Sequence, residues 1–156
     1  MKLNDHEMKL LEYAKKRIPV LFGKRRERGV LDTLFAFVIS DSGKIYEGKS
    51  FESEICNGPI CCERGAIANM ALEETEKARI KSVLVFGPVG KEGNLTPCGL
   101  CRAVIHEYSD GKATILCTGG YFERKDTDFE DIIKKNLRKF TIKELYPEPW
   151  VEGKWK

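Results

Sequence analysis

Residues 82–86 read Ser-Val-Leu-Val-Phe, a short apolar run with no polar alternation. A strand with one wet face alternates, so an unbroken run marks a strand covered on both faces. Ala113–Cys117 is a second such run. Segments with helical spacing lie around both. Buried strands alternating with helices imply an α/β layered domain.

The flanking segments fill in that plan. A helix is expected over about 4–18, capped by Asn4, with Leu10, Leu11, Ala14 and Ile18 on one side. Pro19 and Gly23 are expected to end it. Leu34–Ile39, then Asp41-Ser42-Gly43-Lys44, then Ile45-Tyr46 read as a β-hairpin. Residues 61–77 read as a helix with Ile67, Met70 and Ala71 inward. Thr96-Pro97 is a helix start, hydroxyl at the cap and proline in the first turn. That helix should reach Tyr108, with Cys101, Val104, Ile105 and Tyr108 on one stripe. Thr127-Asp128-Phe129-Glu130 reads as a capping box before a stripe of Phe129, Ile132, Ile133, Leu137 and Phe140. No repeat, low-complexity tract or linker interrupts the chain, so residues 1–156 are expected to form one domain.

Charged residues make up 33% of the chain, and no apolar run approaches the roughly 20 residues that span a bilayer. The N-terminal MKLNDHEMKLLEYAKK is charged throughout, unlike a secretory signal. The expected compartment is therefore the cytoplasm. Thiols stay reduced there, so the six cysteines suggest metal binding or catalysis before disulfides. The net charge of +3 is too small to imply a nucleic-acid binder by itself. Lys15-Lys16-Arg17 and Lys24-Arg25-Arg26-Glu27-Arg28 form a basic stretch that can meet phosphates, or simply a solvated helix end and loop.

Two cysteine groups carry the chemistry: Pro59-Ile60-Cys61-Cys62-Glu63-Arg64 and Pro97-Cys98-Gly99-Leu100-Cys101-Arg102. On a helix Cys98 and Cys101 share a face. All of Cys61, Cys98 and Cys101 fall at expected helix starts, where free N–H groups and the positive dipole end favour thiolate. Three thiolates around zinc leave a fourth position open, which is the arrangement of a catalytic site. Glu63, two residues after Cys61, can carry protons there. Two other readings stay open at this point. Cys98 and Cys101 can form a thioredoxin-like redox pair, or the cysteines can be small core residues.

Cys61-Cys62-Glu63-Arg64 followed by Pro97-Cys98-x-x-Cys101-Arg102 resembles the C-A-E-R … P-C-x-x-C-R pattern of the cytidine deaminases. Gly43-Lys44-Ile45-Tyr46-Glu47-Gly48 is similar to that family's G-x-I-Y-x-G hairpin, and the segment from Thr141 to Trp150 to its C-terminal E-L-L-P-x-x-F/Y segment. The resemblance implies a three-layer α/β/α domain with a central five-stranded mixed sheet, usually assembled as a homotetramer, with a dimer as the lesser option. It implies a Zn2+ held by Cys61, Cys98 and Cys101. It implies that Glu63 takes a proton from water, then protonates in turn the ring and the leaving ammonia. The Thr96 carbonyl and the Cys62 amide fall where family members bond the base. Trp150 stands in place of the aromatic that lies against it. Arg64 and Arg102 are expected to offset the charge of the sulfur cluster. The implied partner is a small nucleoside-like substrate and not a membrane, with cytosine in nucleic acid kept as the lesser alternative.

The sugar side departs from the pattern. The family's N-x-E is Ser50-Phe51-Glu52 here, so glutamate stays and the amide donor is lost. The family's glutamine after C-R is Ala103, and Asp32 falls near its base-stacking phenylalanine. Blasticidin-type deaminases also lack the complete sugar pair, and Trp150-Val151-Glu152-Gly153 resembles their tail in part. Deamination is therefore more firmly implied than cytidine. Cys56, Cys62 and Cys117 read as buried small residues, His6 as a surface residue of a first turn, and His106 as a helix residue near a surface or interface.

Overall fold

The computed structural model describes residues 1–28, 34–55, 58–88, 95–120 and 128–149. The elements are α1 (Asp5–Arg26), β1 (Phe35–Ser40), β2 (Ile45–Lys49), α2 (Cys62–Glu74), β3 (Ile80–Pro88), α3 (Gly99–Tyr108), β4 (Thr114–Gly120), α4 (Phe129–Asn136), β5 (Arg138–Thr141) and α5 (Ile142–Leu145). The strands form one mixed sheet in the order β2-β1-β3-β4-β5, parallel only between β3 and β4.

Alternation along the strands builds two cores. Phe35, Phe37, Ile39, Leu84, Phe86 and Leu116 meet Leu10, Ala14, Ile18 and Phe22 of α1 and Ile133 of α4. Ala36, Val38, Val83, Val85, Ile115 and Cys117 meet Ala66, Ile67 and Met70 of α2, Ile105 of α3 and Ile142 of α5. Helices thus cover both faces, which is why β3 and β4 read as continuous apolar runs. The hairpin turn is as expected, with Gly43 at φ +81°, a left-handed conformation that glycine takes without strain.

Helix α1 is longer than its sequence suggests. Pro19 lies inside it, and Gly23 does not end it. An interior proline costs about 3 kcal/mol. Ile18 and Phe22, before and after it, are both buried, each contributing about 1.5–3 kcal/mol. Their burial against the sheet outweighs the lost bond, and Pro19 itself faces solvent.

Three other boundaries differ. Helix α2 stops at Glu74 instead of residue 77, because Thr75 takes φ +68° and turns the chain toward β3. Helix α3 starts at Gly99 with Cys98 as its N-cap, so Thr96 does not cap it. The helix after Asp128 ends at Asn136, and Phe140 belongs to β5 instead of its stripe. Arg138–Thr141 find backbone partners on the open edge of β4, with Ile115 opposite Phe140. Asp128 caps α4 by accepting from the Asp131 N–H at 3.0 Å. The expected cap Thr127 lies outside the described residues.

Helix α2 sits very close to β2. A side chain at Gly48 would collide with the backbone of Cys62 and Ala66. The same contact brings the start of α2 down onto the sheet.

One buried ion pair ties the two ends of the fold. Glu7 has no exposed surface, bonds the Asn4 N–H at 2.8 Å and pairs with Lys139 of β5 at 2.7 Å. Burial pushes its pKa up, but Lys139, Asn4 and Thr114 outweigh this and hold it below the ordinary glutamate value. The pair therefore stabilises the fold above the carboxylate range, and its contribution is lost as pH falls through the lowered pKa. Lys139→Met should cost about 2–3 kcal/mol at neutral pH, since it strands a buried charge, a figure discounted for the partial exposure of Lys139. Denaturant melts at several pH values check this: the gap between variant and parent should narrow as pH falls through the lowered Glu7 pKa, where protonated Glu7 needs no cation. A gap independent of pH would contradict the assignment.

Candidate functional site

Cys61 and Cys98 are the N-cap residues of α2 and α3, and Cys101 lies in the first turn of α3. Neither cap position makes the usual side-chain bond to its helix. Both thiols are thereby left to face each other, with Sγ atoms 3.7 Å apart, and all three sulfurs lie within 4.8 Å of one another. Zinc at about 2.3 Å from tetrahedral sulfurs sets them about 3.8 Å apart, so the residues present fit such an ion. Cys101 is buried, Cys61 half-buried and Cys98 exposed, so the cluster opens on one side.

The electrostatics agree with a site that needs a cation. Burial, reinforced by the charge of Glu63, pushes the Cys101 thiol far above its ordinary range. Burial and the Cys98 thiol push Cys61 up. Burial also acts upward on Cys98, yet bonds from the Cys101 backbone and thiol and from Cys61 leave it lowered. Burial thus resists charge on two of the three thiols, and the bonds around Cys98 favour its charged form. A divalent ion at the centre reverses that resistance. Arg64 stands against the same sulfurs, and its pKa is raised first by Cys61 and then by Cys101, burial acting the other way.

A cavity of about 350 Å³ opens beside the cluster, against β3. It is lined by Cys61, Cys98, Glu63, Cys62, Ser50, Glu52 and Thr96, with Leu34, Ile60, Val85 and Leu95 as apolar wall. Glu63 is 4% exposed, and its Oε2 accepts from the Cys62 thiol at 3.2 Å. Ser50 Oγ accepts from the Leu34 N–H at 3.3 Å. Ring systems fit such a space: mostly apolar, with a few convergent polar groups.

The sequence-selected residues therefore meet in one place, with two exceptions. Arg102 is turned away from an exclusive role at the sulfurs: its bonds go to the Pro97 carbonyl, the Thr96 hydroxyl and the Leu145 carbonyl. Trp150, like Asp32 and Cys56, lies outside the described residues. The apolar wall is not singled out by the sequence. Leu34 and Val85 read only as strand residues, and the period-2 alternation of β3 is the signal that puts Val85 on the α2–α3 face. Cys62 and Cys117 are buried, in keeping with their reading as small core residues. His106 is half-buried, edge-on to Tyr146 with ring centroids 5.8 Å apart.

No family model matches the chain. The cytidine deaminase of Mycoplasma pneumoniae is 29% identical over 105 residues, covering 67% of this chain and 77% of that protein. A cytidine deaminase of Sporosarcina psychrophila is 24% identical over 112 residues, covering 72% and 70%. Among solved structures, cytidine deaminase from Burkholderia pseudomallei superposes with a TM-score of 0.61 at 19% identity, covering 76% of this chain and 82% of that one. The enzyme from Bacillus anthracis gives 0.55 at 18% identity and covers 88% and 90%. The layered sheet and its covering helices sit on a shared architecture. The chain has the cytidine deaminase fold, and it is related in sequence to proteins that bear that name.

Proposed function

We propose that this chain is a zinc-dependent aminohydrolase that removes the amino group of a cytosine-type base in a free nucleoside, releasing ammonia. The observation that carries the proposal is the gathering of three sulfurs within 4.8 Å beside a cavity that also holds the Glu63 carboxylate. A redox pair would need only Cys98 and Cys101, and a structural cluster would need no buried carboxylate beside it. Zinc, when bound, supplies a Lewis acid that lowers the pKa of water to about 7.

The chain's own residues do the rest. Glu63 accepts the proton of the attacking water and delivers it to the ring nitrogen. It then moves a second proton to the departing amine, so water and amine become carbonyl and ammonia. Burial keeps bulk water from competing for these protons. The Cys62 amide and the Thr96 carbonyl bond the polar edge of the base, while Leu34, Val85 and Leu95 hold its faces. Trp150 adds an aromatic contact to the base. Arg64 offsets the negative charge of the sulfur cluster.

The sugar side favours a second substrate reading within the same chemistry. Ser50 stands where the family's amide is expected, and its hydroxyl already bonds Leu34. A shorter group committed to the backbone reaches a ribose poorly. A modified nucleoside or a blasticidin-like aminopyrimidine is the alternative, and cytosine in nucleic acid a weaker one. Lys15 and Arg17 of the basic stretch pair with Glu12 and Glu47, which takes charge from that face. Phe51, Ile60 and Leu100 remain exposed near the cavity and the cluster, as expected of a surface covered in a homotetramer or dimer. A cytoplasmic, single-domain enzyme fits this reading, and no described helix is long and apolar enough to cross a membrane.

The test is ammonia release from cytidine, deoxycytidine, their 5-methyl forms, cytosine, blasticidin and short cytosine-containing oligonucleotides, with zinc measured in the same preparation. About one zinc per chain and turnover of at least one free nucleoside or analogue are expected. A folded chain that takes up no zinc would remove the proposal; turnover of oligonucleotides alone would move it to nucleic acid.

A further inference from the structure

We infer that Arg102 is a positioning residue that fixes the substrate-facing wall of the cavity, and that its charge is not what the site requires of it. The inference rests on the deaminase reading above for its kinetic arm. Its guanidinium uses each nitrogen on a different acceptor. Nε donates to the Pro97 carbonyl at 2.7 Å, Nη2 to the Thr96 hydroxyl at 3.0 Å and Nη1 to the Leu145 carbonyl at 3.1 Å. The first two lie on the segment between the cavity wall and the Cys98 cap. The third is the last residue of α5.

These three bonds explain a boundary that local rules miss. Thr96 has the residue type and place of a helix cap, with proline after it. It does not cap α3, because its hydroxyl serves Arg102 and the cap position passes to Cys98. The Thr96-Pro97 segment is thereby held off the helix, and Thr96 and Cys98 both line the cavity. Helix α5 is only four residues long. It is anchored at its start by the Thr141–Glu144 capping box and by Ile142 N–H to the Ala113 carbonyl at 2.9 Å. Arg102 is the tie at its other end. One side chain therefore joins the cavity wall to the C-terminal segment.

A planar fork can satisfy three acceptors in fixed directions, whereas an ammonium is a point charge on a flexible stem. Lysine in its place would keep the charge and lose the fork, so the variant Arg102→Lys separates the two roles. If positioning is the role, Arg102→Lys and Arg102→Gln should both raise KM about tenfold or more, the worth of one to two charge-assisted hydrogen bonds, while kcat changes by less than about threefold. Thr96→Val should raise KM less, and Thr96→Ser should match the parent. The Thr96→Val/Arg102→Gln pair should be no worse than Arg102→Gln alone, because both changes remove the same contact. Zinc content should stay at the parent value throughout.

Three results would overturn the inference: Arg102→Lys behaving like the parent, additive effects in the pair, or loss of zinc in step with activity. Amide exchange supplies a readout that needs no substrate. In Arg102→Lys, the amides of Thr96 and Cys98 and those of Ile142, Glu144 and Tyr146 should all exchange faster than in the parent while β3 and β4 keep their protection. If the parent turns over none of the nucleosides, the function reading fails, and the exchange measurement still decides the tie. Unchanged exchange in both segments would refute it.

Discussion

Glu63→Gln should keep the fold and about one zinc per chain while kcat falls by about 10⁴-fold, the upper end for removal of a general acid–base group. The expectation sits high because one carboxylate serves several proton transfers. Glu63 is the second buried residue of α2 and lines the cavity, and glutamine has the same shape, so the change adds no volume. Its bond from the Cys62 thiol can be accepted by an amide oxygen as well. Stability should therefore change little, and a measured kcat together with zinc content separates chemistry from folding. Retention of more than a tenth of the parent kcat would sink the proton-carrier role.

Cys101→Ser should abolish stoichiometric zinc and, with it, all measurable turnover. Cys101 is the buried member of the cluster, in the first turn of α3 and fully shielded. A hydroxyl there cannot become an anion near neutral pH, so the site loses a charge as well as a soft donor. The parent should also lose thermal stability on treatment with a chelator, because an ion bound only by the folded state adds RT ln(1 + [L]/Kd) to its stability. The variant should melt at one temperature with or without chelator. A Cys101→Ser protein that still held one zinc per chain would show that the ion sits elsewhere.

Much of the architecture is legible without coordinates. The apolar runs of β1, β3 and β4 announce a covered sheet, and Asp41-Ser42-Gly43 announces the hairpin. In the sulfur cluster, helical spacing makes the Cys98–Cys101 pair legible, while the place of Cys61, 37 residues away, is legible through the family resemblance. Other parts are hidden for physical reasons. Strand β5 is Arg-Lys-Phe-Thr, with no apolar run, and exists because the edge of β4 offers backbone partners. The length of α1 depends on what Ile18 and Phe22 gain from the sheet, which no helix-breaking rule weighs. The role of Arg102 is hidden because its acceptors are two carbonyls and a hydroxyl, and Leu145 is 43 residues away. Charge suggests the cluster; geometry points to the loop.

The cysteines at the two helix caps have a further consequence. A helix start normally closes its free N–H groups with an oxygen from Ser, Thr, Asp or Asn. Here both starts give that position to a sulfur: Cys61 makes no capping bond to its helix, and Cys98 has only a thiol to offer the Cys101 N–H. The first turns of α2 and α3 are consequently weakly closed on their own, and an ion held by the three sulfurs would be the clasp between them. Ordering those turns and gripping the metal then become a single equilibrium, with any free energy needed to set the turns subtracted from the sulfur–metal bonds. The measured dissociation constant would report the balance of both, so changes in either first turn, at residues other than the three cysteines, can alter how tightly a metal is kept.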